Sequence, residues 1–429
     1  MRVVLSPFKI LATLLGVALV GTAVLRAQIP SPAEQAVGYS KAAATDPVAR
    51  LQQRINAGEL TFAYDEARGY LPAVLQALNV PVASQGLVFS RTSLQVDRIA
   101  PWSPRAIYFS DDVYVGWVQG GPIMEIASVD PRLGGVFYTL TQQPAERPTF
   151  ERQGHTCLQC HDSSASTGDV PGFIMRSVVA DRHGYPVAAD AGATTDSTPL
   201  GKRWGGWYVT GGLGSLQHMG NALTPALRGE MGNVQTYLAK HPAVAAGGST
   251  NLAKQFDTEP YLSPYSDAIA LLVLAHQTYV HNLITLARYE SLKASSYGNS
   301  PTLPVPVQGA AERLLRAMFF VGEAEYPARV TGSSAFESQF AARGVRDAKG
   351  RSLRDFDLET RLFRYPFSYL VYSEAFDALP SDVKSYLSRR LVEVLAGEDA
   401  SADFARLSSA DRRAIREILE ATKPALLRG

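Results

Sequence analysis

Two hydrophobic periods divide the chain. Between residues 87 and 140 the apolar positions come in short β-branched and aromatic runs: Leu87–Ser90, Ala106–Phe109, Val113–Val118, Ile123–Ile126 and Val136–Leu140. Pro, Gly and Asp separate them at hairpin-like intervals, which predicts several antiparallel strands. Asp111-Asp112 and Gly120-Gly121-Pro122 read as turns, the paired aspartates as a solvated hairpin tip. From Asp257 the period lengthens. Ile269, Leu272, Val273, His276, Val280, Leu283 and Ile284 share one helical face, with Gln277 and His281 to its side, and this predicts a long helix over 266–292. Further helical stretches are expected over 310–321, 359–363, 369–379, 381–396 and 409–422, the last opened by the start signal Ser408-Ser409-Ala410-Asp411. Ahead of the strands, 32–57 reads as a helix stopped by Gly58, and 70–78 as a second one ended by Asn79 and Pro81. Residues 295–308, rich in Pro, Gly, Ser and Asn, read as a linker. The expectation is an α+β fold in three parts: an antiparallel β-rich part over 28–148, a loop-rich segment over 149–250, and a mainly α-helical part over 251–429.

The N-terminal residues 1–27 stand apart. Arg2 and Lys9 precede an apolar run from Ile10 to Leu25, the pattern of a secretory signal peptide, or of a membrane anchor if it stays uncleaved. Either way the rest of the chain is expected to be exported, periplasmic in a bacterium. Hydrophobic residues make up 46% of the 429, and 41 basic residues balance 40 acidic ones to a net charge of +1. That balance carries no electrostatic footprint for nucleic acid, and a membrane is a partner only through an uncleaved N-terminal segment. The two cysteines cannot build a disulfide framework.

Those two cysteines lie in Cys157-Leu158-Gln159-Cys160-His161. Cys-x-x-Cys-His is the attachment sequence of haem c. Both thiols reach the porphyrin edge as thioethers, while the next side chain turns under the iron as its proximal ligand. The motif therefore predicts one covalent haem c, with Cys157, Cys160 and His161 binding it and His161 on the iron. Two other readings weigh against it: a thioredoxin-like redox pair, which wants a βαβ context, and half of a zinc site, which lacks a second ligand pair. The flanks Gln153–Thr156 and Asp162–Gly168 read as loop, which does not favour the redox pair. Haem attachment and export belong to the same compartment, so the two signals reinforce each other.

The sixth iron position decides between electron transfer and ligand chemistry. His218 is the first candidate, on a Gly-flanked loop that can fold back over a porphyrin. Its neighbour Met219, His276 on the long helix, and an open position are the others. His155 lies too close to the motif to reach the opposite face, His183 sits in a turn, and His241 marks a helix end. Arg176 and Arg203 read first as surface salt-bridge partners, and second as propionate or peroxide contacts. The stretch Lys202–Gly212 sets glycines beside Trp204, Trp207 and Tyr208, a close-approach surface for a flat ligand or a tight aromatic corner.

Several stretches together resemble an exported, single-haem bacterial family known mainly as uncharacterised cytochrome c domain proteins. They are Asp111–Gly121, His155–His161, Arg203–Gly211, His218–Asn221, His276 with His281-Asn282, and Arg364–Pro366. The resemblance runs through nearly the whole mature chain. It implies that the haem segment is not a detachable domain of ordinary cytochrome c size, and it brings no established activity. Three functions follow as expectations: periplasmic electron transfer with a redox partner protein still unknown, a peroxidase- or oxygenase-like haem enzyme, and a haemless zinc-binding protein.

Overall fold

The β-branched runs pair as their alternation requires. A computed structural model describes residues 31–190, 192–224, 234–240, 251–295 and 303–428. The elements in chain order are α1 (Pro32–Val37), α2 (Pro47–Asn56), α3 (Leu71–Ala77), β1 (Gly86–Val88), β2 (Arg105–Phe109), β3 (Val113–Trp117), β4 (Ile123–Asp130), β5 (Gly134–Thr141) and β6 (Phe150–Gln153). The middle of the chain supplies α4 (His155–His161), β7 (Val178–Ala180), β8 (Pro186–Ala189), β9 (Trp207–Tyr208) and α5 (Val234–Lys240). The C-terminal part supplies α6 (Ala268–Ser295), α7 (Val305–Met318), α8 (Phe336–Ala342), α9 (Glu374–Asp377), α10 (Ser381–Ala396) and α11 (Ser409–Thr422). The α+β class holds: an antiparallel sheet in the N-terminal half and a helical C-terminal part. The signal or anchor segment 1–27 and His241 lie outside the described residues.

Seven strands form one antiparallel sheet in the order β6-β5-β4-β3-β2-β1-β9, and β7–β8 make a separate hairpin. Its far edge comes from the middle segment, where Leu87 and Val88 pair with Tyr208 and Trp207. The apolar core runs without a break from Ala33 to Leu426, so the three parts expected from sequence share one interior.

Alternation gives the sheet two faces. Tyr138 points to the N-terminal helices and donates to Asp46 Oδ2 at 2.6 Å. Tyr114 and Phe137, on the other face, lie toward α6, where Gln277 Nε2 donates to the Tyr114 hydroxyl at 2.9 Å and Tyr369 donates to Gln277 Oε1 at 2.6 Å. α6 is buried on nearly every side, which is why its apolar pattern is wider than one stripe. Its 28 residues are long and apolar enough to cross a membrane, yet here they are the core. Asp267 opens it, with Oδ1 accepting from Ile269 N at 2.9 Å and Ala270 N at 3.2 Å. The same carboxylate's Oδ2 accepts from Ser333 N at 2.7 Å and Ser334 N at 2.8 Å, tying the helix start to a distant loop.

Four sequence expectations change. The stretch 32–57 is two helices, because Gly38 takes a left-handed φ of 59° and Asp46 caps a new start. Residues 359–363 are not helical; Asp357 Oδ1 accepts from the amides of Glu359, Thr360 and Arg361 and folds them into a turn. The 369–379 stretch breaks at Ser373, whose side chain caps α9. The linker at 295–308 ends early, since α7 starts at Val305 with a proline in its first turn, and residues 296–302 lie outside the described ones.

Candidate functional site

The Cys-x-x-Cys-His sequence is helical, and the flank Gln153–Thr156, expected as loop, is a strand end and a helix start. β6 ends at Gln153 and α4 runs from His155 to His161, so one short helix carries both thiols and ends on the imidazole. Both cysteines are free, Cys157 half-buried and Cys160 exposed. Burial, then the Glu125 carboxylate and the second thiol, push the Cys157 thiol up to about 11. A reactive dithiol is favoured by the opposite shift, so this direction at Cys157 does not favour the redox pair, although a strand precedes the helix.

His161 is held by its far nitrogen. Nδ1 lies 2.8 Å from the Gly172 carbonyl; for that contact to be a hydrogen bond, Nδ1 carries the proton and donates. Nε2 is then left with its lone pair. The ring packs on Phe137 of β5 at 4.6 Å between centroids. Burial holds the imidazole below the usual histidine range, in its neutral form. A metal-binding histidine has this arrangement, with the outer N–H given to a carbonyl and the inner nitrogen presented.

The carbonyl that receives His161 is fixed from α6. Asn282 Oδ1 accepts from Phe173 N at 2.8 Å, and Asn282 Nδ2 donates to the Phe173 carbonyl at 2.8 Å. Gly172 must be glycine for this clamp, because a Cβ there would stand 2.4 Å from Asn282 Oδ1 and 2.8 Å from its carboxamide carbon. Asn282→Ala is expected to leave both Phe173 backbone groups buried without partners, costing about 2–4 kcal/mol. Urea unfolding monitored by far-UV circular dichroism measures it, and a loss below about 1 kcal/mol would count against the clamp.

Beside His161, on the Phe137 face of the sheet, runs a half-buried strip. Ile107, Gly116 and Glu125 stand opposite one another on β2, β3 and β4. The Arg105 guanidinium lies across Gly116, so close that a Cβ there would meet it at 2.6 Å. It reaches Glu125 Oε2 at 3.0 Å. Arg105 Nε, like Asp162 Oδ1 next to the motif, is buried with no partner. Buried polar atoms are normally satisfied, so Arg105 Nε is left with a donor to give and Asp162 Oδ1 with room to accept beside the motif. Arg105, Glu125 and Gly172 were not singled out from sequence, and Asn282 entered only beside His281 in the family resemblance. Gly116, a glycine inside a strand of large residues, was the available signal, since such a glycine marks a close approach.

The candidate sixth ligands do not gather opposite His161. His276 has both nitrogens taken, Nδ1 by Asp196 and Nε2 by Ser368, each at 2.8 Å. His218 packs on Trp204, its Nδ1 accepts from Gly220 N at 3.0 Å, and burial takes its imidazole down to about 4. Its loop is fastened to β9, where Asn221 N donates to the Trp207 carbonyl. β9 is five strand spacings from β5, about 24 Å, so the structure does not bring His218 to His161. Met219 is buried in a satellite cluster with Val179, Val187 and Ala188. His281 turns its Nε2 to the Asp111 carbonyl at 2.9 Å, and burial takes it down to about 4.

Two arginines and the aspartate pair also depart from expectation. Arg203 is buried, donating to the backbone carbonyls of Asp196 and Thr198 rather than to a surface carboxylate. Arg176 donates to the Asp190 carbonyl, and its Nε is buried without a partner. Asp111 is not a solvated hairpin tip: Arg354 NH1 reaches its Oδ1 at 3.1 Å and NH2 takes its other oxygen. Asp112 beside it is pushed up to about 7, first by burial and then by the Asp111 charge. The Trp204–Tyr208 stretch is an aromatic packing corner, with Trp204 and Tyr208 in the core.

Among the described residues no three His, Cys, Asp or Glu side chains gather to hold a metal ion, so the zinc alternative lacks its ligands there. No protein-family model, no curated protein and no solved structure matches the chain.

Proposed function

We propose that the chain is an exported c-type cytochrome that carries one covalent haem and serves in one-electron transfer. Cys157 and Cys160 would hold the haem and His161 would present Nε2 to its iron. The observation that carries this reading is His161 itself. It ends the helix bearing both free thiols, its Nδ1 is given to the Gly172 carbonyl at 2.8 Å, and its ring packs on Phe137. A bound haem c would supply an iron centre that gains and loses one electron. This chain's residues would orient the imidazole through Gly172 and Asn282, cover the ring's lower side with Phe137, and set the local charge with Arg105 and Glu125. Protein made with a haem c maturation system, run on a denaturing gel and stained for haem, tests the reading. A colourless wild-type band under those conditions overturns it.

A second reading, a haem protein that binds small ligands or peroxide, is favoured by the placement of His276 and His218. One has both nitrogens occupied and the other is fastened at the far edge of the sheet. A Soret shift when carbon monoxide is added to the reduced protein would favour this reading, as an open or weakly held sixth position allows. An unchanged spectrum would leave electron transfer through a closed iron as the better account.

A further inference from the structure

A second site lies away from the haem motif, where α6, α7 and the 402–406 segment meet. A cleft of about 490 Å³ opens there, lined by Asp196, Tyr279, Arg313, Arg316, Phe320 and Arg406, among others. Past Phe320 and Val321 a smaller compartment of about 210 Å³ continues toward Glu323, sharing Asp403 and Arg406 with the first.

Asp196 lines this cleft with an almost wholly buried side chain. Its side chain is 9% exposed, and Oδ2 lies 2.8 Å from His276 Nδ1. His276 Nε2 lies 2.8 Å from Ser368 Oγ, and that oxygen also accepts from Leu370 N at 3.3 Å. One hydrogen-bond arrangement satisfies the whole row: Ser368 O–H donates to Nε2 and Nδ1–H donates to Asp196 Oδ2. The order Asp-His-Ser matches a hydrolytic triad, but the access is reversed. Ser368 and His276 are wholly buried, so the serine cannot meet a substrate, and the carboxylate is the member that lines the cleft. The row is a buttress for Asp196. It is reinforced where the Asp196 backbone carbonyl accepts from Arg203 NH2 at 2.6 Å and from Ala324 N at 2.9 Å. The His276 ring stacks on Phe320 at 4.1 Å, which joins the buttress to the cleft wall.

The same cleft collects guanidinium groups. Arg316 pairs with Asp403, and Arg406 donates to the Glu323 carbonyl at 2.8 Å. Arg313 is exposed and makes no hydrogen bond or ion pair with the described residues. Arginine forks match phosphate and carboxylate oxygens in pairs, while a buttressed carboxylate accepts only from donors.

We propose that this cleft binds a small organic molecule bearing a phosphate or carboxylate group and a hydroxyl, the oxyanion held by Arg313 and Arg316 and the hydroxyl donating to Asp196. The inference does not depend on the haem reading. Titration calorimetry on the full purified protein tests it, with inorganic phosphate and glycerol 3-phosphate as probes. The wild type is expected to bind both, glycerol 3-phosphate the more tightly. Arg313→Gln, an exposed and unpaired position that the fold does not need, is expected to weaken both by about tenfold. Asp196→Asn is expected to remove the preference for glycerol 3-phosphate over phosphate. Absence of binding by the wild type in the millimolar range, or equal affinity in the wild type and Arg313→Gln, overturns the proposal. Should Asp196→Asn fail to fold, Arg313→Gln alone still decides it.

Discussion

A Cys157→Ala/Cys160→Ala double variant is expected to lose covalent haem completely, with no haem stain on a denaturing gel and no reduced α-band. The proposed haem attachment requires these sulfurs, and they are the only cysteines in the chain. The fold should survive, since Cys160 is exposed and Cys157 only half-buried. Far-UV circular dichroism of the variant therefore separates a lost attachment from a lost structure. Each single variant should keep at most one attachment, and His161→Ala should keep both sulfurs while altering the spectrum of the iron. A double variant that still carries covalent haem would sink the assignment of the motif.

The largest loss of stability is expected at Asp267. It is wholly buried, and its carboxylate serves both the first turn of α6 and the Ser333–Ser334 loop, where it also accepts from Ser334 Oγ at 2.9 Å. Asp267→Ala removes a cap worth about 1 kcal/mol and leaves the half-buried amides of Ser333 and Ser334 unpaired at about 1–2 kcal/mol each. The sum is about 3–5 kcal/mol, read as a lower urea midpoint with an unchanged slope. A shift below about 1 kcal/mol would mean the loop and helix start are held by something else.

The elements that packing alone dictates were the legible ones. Strands β2 to β5 and helices α6, α10 and α11 follow from period and caps, because apolar residues recur at the spacing each element imposes. What escaped depends on partners distant in sequence. β9 is two residues long, and only its pairing with Leu87 and Val88 makes Trp207–Tyr208 a strand. The helical state of α4 was hidden because His155–His161 buries none of its residues and so has no apolar stripe to read. Asp111 looked solvated because Arg354, which pairs with it, is separated from it by 243 positions. Of the candidate site, the chemical groups at Cys157, Cys160 and His161 were legible as a motif. Their surroundings were not: Gly172 and Asn282 meet only because α6 crosses the sheet face beside Phe137. His218 attracted attention through its glycine neighbours, yet those glycines serve the close packing of its loop, where a Cβ at Gly220 would lie 2.4 Å from Val209.

The burial of α6 has a consequence for biogenesis. In the extended chain, before the sheet exists to receive it, Ala268–Ser295 has the length and hydropathy of a bilayer-spanning segment. On the proposed reading of an exported chain, such a segment faces a sorting problem at the translocation channel, where it can be released sideways into lipid. The middle of this helix carries His276, Gln277, His281 and Asn282, and polar side chains near the centre of a would-be span oppose partition into the bilayer. The residues that later tie the helix to Asp196 and Ser368, to the sheet side and to the Gly172 clamp would thus also bias the nascent segment toward passage rather than retention. Replacing the four with leucine would be expected to convert the core helix into a stop-transfer sequence.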